Sequence, residues 1–192
     1  MILNRLLFLF ILISLPLIFL GCGDEQSAIF GFGQSPLIKA VDTGDTTAVR
    51  ALLAKGGNPN EADAYGWTAL MISATKGYDD SINALLDKGA NINGETIKKW
   101  TALMRAAENG QTKTVELLLK RGANFNAKNQ LGVTSLMLAV EKGRTETVKV
   151  LLLNQKLDLN VKDINGRTAL SIATNKKMAE IIYLLKRAGA RQ

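Results

Sequence analysis

Thr101-Ala102-Leu103-Met104-Arg105-Ala106-Ala107-Glu108-Asn109-Gly110, followed by Val115-Glu116-Leu117-Leu118-Leu119-Lys120-Arg121-Gly122-Ala123-Asn124-Phe125-Asn126, decides the fold. The first half reads as a short helix closed by Gly110, and the second as an apolar helical stripe closed by a paired Leu and Gly122. Thr68, Thr101, Thr134 and Thr168 each begin a Thr-small-Leu triplet at steps of 33, 33 and 34 residues, and Ser35-Pro36-Leu37 carries the register back by another 33. A fixed period of this size marks a repeat architecture, in which no unit can bury its apolar face alone and stacking buries it against the neighbours.

Within each unit the apolar positions fall on one side of two short helices. Leu37, Leu70, Leu103, Leu136 and Leu170 share one place in the first helix, with small residues such as Ala106, Ala107, Ala139 and Ala173 behind them to allow close approach. The second helix carries an i, i+3, i+4 stripe: Val49, Leu52, Leu53; Ile82, Leu85, Leu86; Val115, Leu118, Leu119; Val148, Leu151, Leu152. Gly56, Gly89 and Gly122 then stand where a left-handed cap is required, while the fourth unit has Gln155 there and one extra residue before Asp158. An altered loop is expected at that point, either a binding bulge or a neutral length variant. Asn60, Asn93, Asn126 and Asn160, each two residues beyond Asn58, Asn91, Asn124 or Asp158, read as turn residues and not as a ligand set. The last unit has Lys186 in place of the second Leu, with Lys176, Lys177, Arg187 and Arg191 nearby, the polar face that a terminal cap needs.

These units resemble the ankyrin repeat: a period of 33, a Thr-Pro-Leu-His-x-Ala-like opening and two helices after a turn. The likeness runs from Ser35 to about Ala190. It implies an all-α repeat solenoid, an ankyrin stack of about five helix-turn-helix units joined by β-hairpin-like loops, with units near 35–67, 68–100, 101–133, 134–167 and 168–192. Where the family has His after the Leu, this chain has Ile38, Met71, Met104, Met137 and Ser171. The hydrogen bond that His supplies between units has to come from elsewhere, or stability falls.

Ahead of the repeats, residues 6–20 form an uncharged apolar run behind Arg5, and small Gly21 precedes Cys22. This pattern describes a secretory signal, too short for a comfortable membrane span. With Cys directly after the cut it resembles a bacterial lipoprotein signal, Phe19-Leu20-Gly21-Cys22 playing the lipobox, although the family prefers Leu at the first of these positions and a smaller residue at Leu20. The resemblance implies removal of residues 1–21, lipidation of Cys22, and a tether over 22–34. Several acyl chains on one residue give lasting attachment where one gives little. An uncleaved anchor helix, or an ordinary signal with an incidental Cys, are the alternatives. Gly23, and not Asp, follows the Cys, which in the enterobacterial sorting pattern favours the outer membrane, facing the periplasm. Phe30 and Phe32 are expected to fold back over the open side of the first unit.

The 24 basic and 17 acidic residues give a net charge of +7, which suits an acidic partner, an anionic membrane surface, or simple solubility. The basic residues are spread without a run of five, and no zinc-finger or RNA-binding motif accompanies them, so no nucleic-acid partner is expected. The chain has no His and a single Cys, Cys22, which excludes His-based triads, His or Cys metal sites in the repeats and an internal disulfide. A P-loop and a Gly-x-Ser-x-Gly elbow are also missing, and Asp79-Asp80 and Glu141-Lys142 read as solvated charges. No catalytic residue, metal site or cofactor is expected, and the chain does not read as an enzyme.

The ankyrin resemblance implies that a protein partner meets the hairpin tips and the concave side of the first helices. On the tips this selects Tyr65, Trp67, Ile97, Lys98, Trp100, Leu131 and Arg167, and on the first helices Lys76, Asn109 and Lys142. Trp67 and Trp100 hold one exposed repeat position in successive units, either as interface anchors or packed down on their own hairpins. Lys99 replaces the turn Gly of its tip and alters how Trp100 is presented. The expectation is a monomeric, non-enzymatic protein-binding module, tethered through Cys22, that scaffolds, inhibits or protects an envelope or secreted protein. Alternatives are an immunity protein against a secreted toxin and a membrane-surface or cell-wall binder.

Overall fold

Each unit begins on a hydroxyl. Ser35, Thr68, Thr101, Thr134 and Thr168 stand in extended conformation and accept a hydrogen bond from the backbone N–H three residues on, which satisfies one of the free donors at a helix start. The computed structural model describes residues 35–191; the proposed signal, Cys22, the tether, Phe30 and Phe32 lie outside the described residues. The five first helices are α1 (Pro36–Asp42), α3 (Ala69–Lys76), α5 (Ala102–Asn109), α7 (Ser135–Glu141) and α9 (Ala169–Asn175). The five second helices are α2 (Thr46–Ala54), α4 (Asp79–Asp87), α6 (Thr112–Lys120), α8 (Thr145–Leu152) and α10 (Ala179–Arg187). Among the described residues there are ten helices and no strand, only an isolated antiparallel bridge from Ala62 to Thr68.

First helices pack on first helices and second on second, in two parallel rows. The first-helix row is the tighter one, because Ala69, Ala74, Ala102, Ala106, Ala107, Ala139, Ala169 and Ala173 are buried in it and let backbones approach. Leu37, Leu70, Leu103, Leu136 and Leu170 run through the core at 3 % exposure or less, with Val49, Ile82, Val115 and Val148 completely buried from the second helices. All of this core lies within the compact unit Gly33–Gln192, which therefore carries its own apolar interior.

The places of the family His are filled by apolar side chains: Ile38, Met71, Met104 and Met137 are at most 2 % exposed, and Ser171 instead completes a capping box with Thr168. Hydrogen bonds between units come from other ladders. A hydroxyl ladder links successive second helices: Thr46 Oγ1 lies 3.0 Å from Ser81 Oγ, Thr114 Oγ1 donates to Asp79 Oδ1 at 2.6 Å, and Thr112 Oγ1 lies 3.0 Å from Thr147 Oγ1. It stops at Ile181, the fifth-unit equivalent, which has no hydroxyl.

The Asn positions do more than shape turns. Asn58, Asn91, Asn124 and Asp158 accept the N–H two residues on, as expected. Asn60, Asn93, Asn126 and Asn160 reach into the following unit, their Oδ1 atoms accepting from the backbone N–H of Asn91, Asn124, Asp158 and Arg191 at 2.6–3.0 Å. Asn60 and Asn126 also donate to Gly89 O and Lys156 O.

The expected left-handed caps are present, with φ of 88°, 86° and 91° at Gly56, Gly89 and Gly122. In the fourth unit the loop differs as the length change predicts: Asn154 closes the turn by accepting from Lys156 N and Leu157 N, Leu157 is buried, and Leu153 is left 80 % exposed. Leu153 lines an outer groove of about 680 Å³ with Leu119, Val150 and Lys156. The end face of the last unit is polar at Lys176, Lys177, Lys186 and Arg187, with Tyr183 an exposed aromatic exception.

Candidate functional site

The tips are built on one recurring position that the sequence reading passed over. Asp63, Asn129 and Asp163 each accept two backbone N–H groups through Oδ1, from Tyr65 and Trp67, from Leu131 and Val133, and from Asn165 and Arg167; Thr96 accepts from Trp100 N. Each tip then closes with a backbone bond from this residue to the one four positions on. At Asp163, burial works to raise the carboxyl pKa, but the backbone N–H and guanidinium of Arg167 and the N–H of Asn165 outweigh it and hold the group below the usual carboxylate range. Arg167 Nε donates to Asp163 Oδ2 at 2.8 Å, so this candidate residue braces its own tip.

Successive tips are also bonded to each other: Ile97 N to Tyr65 O at 3.0 Å, Gln130 N to Lys98 O at 3.2 Å, and Ile164 N to Leu131 O at 3.0 Å. The approach is close enough that a Cβ at Gly66 would stand 2.9 Å from Thr96 Cα. Lys99 takes the same left-handed conformation at φ 59° despite its Cβ, and the bond accepted by the preceding Lys98 is the longest of the three.

Trp67 and Trp100 are half-buried. They flank Arg105, whose guanidinium carbon lies 4.6 Å from the Trp67 ring centroid and 5.0 Å from that of Trp100. The Arg105 side chain is only 8 % exposed, its Nη1 donates to Glu108 Oε2 at 2.8 Å, and its Nε and Nη2 are buried without a partner. Burial pushes the guanidinium pKa below its ordinary value, and the Glu108 charge restores only part of the loss. The indoles thus pack inward around a cation from the third unit. The signal that could have revealed it is positional: Ile72, Leu138 and Ile172 fill the place of Arg105 in the second, fourth and fifth units, all buried, while the first unit, at the end of the stack, has exposed Lys39 there.

Lys76, Asn109 and Lys142 fall on one row at the ends of the first helices, together with Thr43 and Lys176. The lysines are partly engaged between units: Lys76 Nζ donates to Asp42 Oδ1 at 2.8 Å, Lys142 Nζ lies 3.8 Å from Glu108 Oε1, and Lys176 Nζ lies 2.7 Å from Glu141 Oε1. The junction of α3 and α5 has Thr75 and Asn109 at these places. Asn109 Nδ2 donates back to Arg105 O, and Gln111 Nε2 reaches Thr75 O. Tyr65, Ile97 and Leu131 are 57 %, 64 % and 53 % exposed, and Lys98 is exposed beside them. The candidates therefore separate into an outer set on the tip summits, an inner set on the first-helix row, and two indoles committed to Arg105.

Among the described residues no group of three acidic or Cys side chains converges as a metal site would require, and no helix is long and apolar enough to cross a membrane. A search of curated proteins finds no match. The family model described as "Ankyrin repeats (3 copies)" matches residues 11–96 and 93–163, more than half of the chain. With ten helices in two rows among the described residues, the chain belongs to the ankyrin repeat family, and its fold is that of a protein–protein interaction module.

Proposed function

We propose that this module is carried on the bacterial envelope by an acylated Cys22 and holds an envelope or secreted protein on its first-helix row, as scaffold, inhibitor or protector. The observation that carries the protein-binding half is the row itself. Thr43, Lys76, Asn109, Lys142 and Lys176 repeat at one position on a face stiffened by cross-unit ion pairs and by the caged Arg105. A long, pre-ordered, polar surface lowers the ordering cost of meeting another protein and offers contacts over several units. Support for the anchor comes from sequence: the one Cys in the chain stands directly behind the apolar run and Gly21.

Replacing both tryptophans would empty the cage, so partner binding is better probed with Lys76→Ala/Asn109→Ala/Lys142→Ala, whose exposed pairs are worth under about 1 kcal/mol each. Partner co-purified from a host envelope extract should drop at least about tenfold with helicity unchanged, a loss of about 1.4 kcal/mol in binding. Unchanged recovery removes the first-helix row from the proposal. Cys22→Ser should abolish incorporation of labelled palmitate and leave the chain at its uncleaved mass, with the apolar run of residues 6–20 still attached. A parent chain that takes up no label, or a variant that takes up as much as the parent, refutes the lipid anchor.

A further inference from the structure

Six large apolar side chains among the described residues are exposed, and four of them sit on the four tips, one per tip: Tyr65, Ile97, Leu131 and Ile164, at 53–66 % exposure. Scatter over the surface would not select every tip. The backbone bonds between tips hold these side chains on one rack, so they advance together. Lys98, Lys99, Lys128 and Lys162 stand beside them on the last three tips, all exposed, and none makes a salt bridge among the described residues. Glu61 and Glu95 lie on the first two tips, so the positive end of the rack is the C-terminal one.

We propose that the tip summits dock on an anionic lipid surface, with Ile97, Leu131 and Ile164 entering the interfacial layer and the four lysines meeting the headgroups. Charge complementarity names the sign of the surface, and shape names its kind. The apolar groups project from the tips, whereas the grooves described for the stack lie along the second helices, at Arg50, Leu53 and Asp87 and at Leu119, Val150 and Leu153. An extended peptide draws specificity from pockets that receive its side chains, while a row of projecting apolar groups ringed by lysine suits a soft interface. Docked this way, the stack leaves its first-helix row free for the protein partner, and the contact does not depend on Cys22.

The test uses the repeat unit, residues 33–192, which carries its own core and lacks the apolar N-terminal run. It is sedimented with vesicles of phosphatidylcholine, alone or mixed with phosphatidylglycerol. Binding is expected to the mixed vesicles only, and to fall more than tenfold in about 1 M salt. Lys128→Glu/Lys162→Glu should weaken it at least about twenty-fold, since each lysine near an anionic surface is worth roughly fivefold. Ile97→Ser/Leu131→Ser/Ile164→Ser should weaken binding while keeping its salt dependence. A chain that ignores the mixed vesicles, binds both kinds equally, or is unaffected by both tip variants overturns the proposal. So does binding of an acidic Glu/Leu peptide that the tip variants abolish while vesicles fail, which would make the rack a protein site. The first-helix variants above should leave vesicle binding intact, so failure of one proposal does not mimic failure of the other.

Discussion

Replacing Arg105 with Met should leave stability within about 1 kcal/mol of the parent, whereas Arg105→Ala should cost about 3 kcal/mol. Two cation–π contacts in a partly desolvated site contribute about 1–2 kcal/mol each, and the short bond to Glu108 about 1.5–3 kcal/mol. Against them stand Nε and Nη2, buried without partners at about 1–3 kcal/mol apiece. The lowered pKa of the guanidinium points the same way, since burial outweighs the attraction of Glu108. The sum lies near zero. Met fills the slot between the rings and gains sulfur–aromatic contact of about 0.3–1.5 kcal/mol. Glu108 is not left stranded, because it is 18 % exposed with Lys142 Nζ at 3.8 Å. Ala instead leaves a void between two indoles. Urea unfolding of residues 33–192, followed by far-ultraviolet circular dichroism, should place the Met midpoint within about 0.5 M of the parent and the Ala midpoint about 1.5 M lower, for a slope of about 2 kcal/mol/M. A Met variant as unstable as the Ala variant would refute the reasoning, and would show that the charge chiefly holds the tips together.

Asp163→Asn keeps the backbone bonds, as Asn129 does in the third tip, and loses only the charge pair with half-exposed Arg167; the cost at neutral pH should be about 0.5–1 kcal/mol. Because the folded carboxyl pKa is lowered, this stability is fully present above the ordinary aspartate value of about 3.9 and disappears as pH falls through the folded value, so parent and variant unfolding curves should converge in acid. A constant gap down to strong acid would contradict this. Lys99→Gly should stabilise by about 0.5–1 kcal/mol, the left-handed penalty less the entropy of Gly, measured by the urea midpoint. Asn60→Ala should cost about 1 kcal/mol and speed hydrogen exchange at the Asn91 amide, with the Asp158 amide unaffected.

The sequence exposes whatever repeats. Thr caps, the Leu and Val stripes, the left-handed glycines and the Asn turns all hold one register, so each copy corroborates the others and the stack can be drawn from spacing alone. Side-chain partnerships across units are a different kind of information, since they join a residue to one 29–38 positions away without regular sign. Asn60 reads as a turn residue because its nearest neighbours are turn residues, and only the stack brings Asn91 N to its Oδ1. Lys76 and Lys142 read as free surface charges because Asp42 and Glu108 lie a full unit upstream. Arg105 misleads most, since a charge on a first helix looks solvated and two tryptophans on tips look available. Comparison down the column helps only in part: the other units with a neighbour on both sides, and the last, place Ile72, Leu138 or Ile172 there, all buried, whereas the end unit has an exposed Lys39, so Arg105, inside the stack, must find its solvation in protein. The junction of α3 and α5 is also where the row of cross-unit ion pairs is interrupted, by Thr75 and Asn109. Trp67 from the tip before α3 reaches Arg105 on α5 there, so the cage supplies at this junction the cross-unit contact that a lysine–carboxylate pair supplies at the other three.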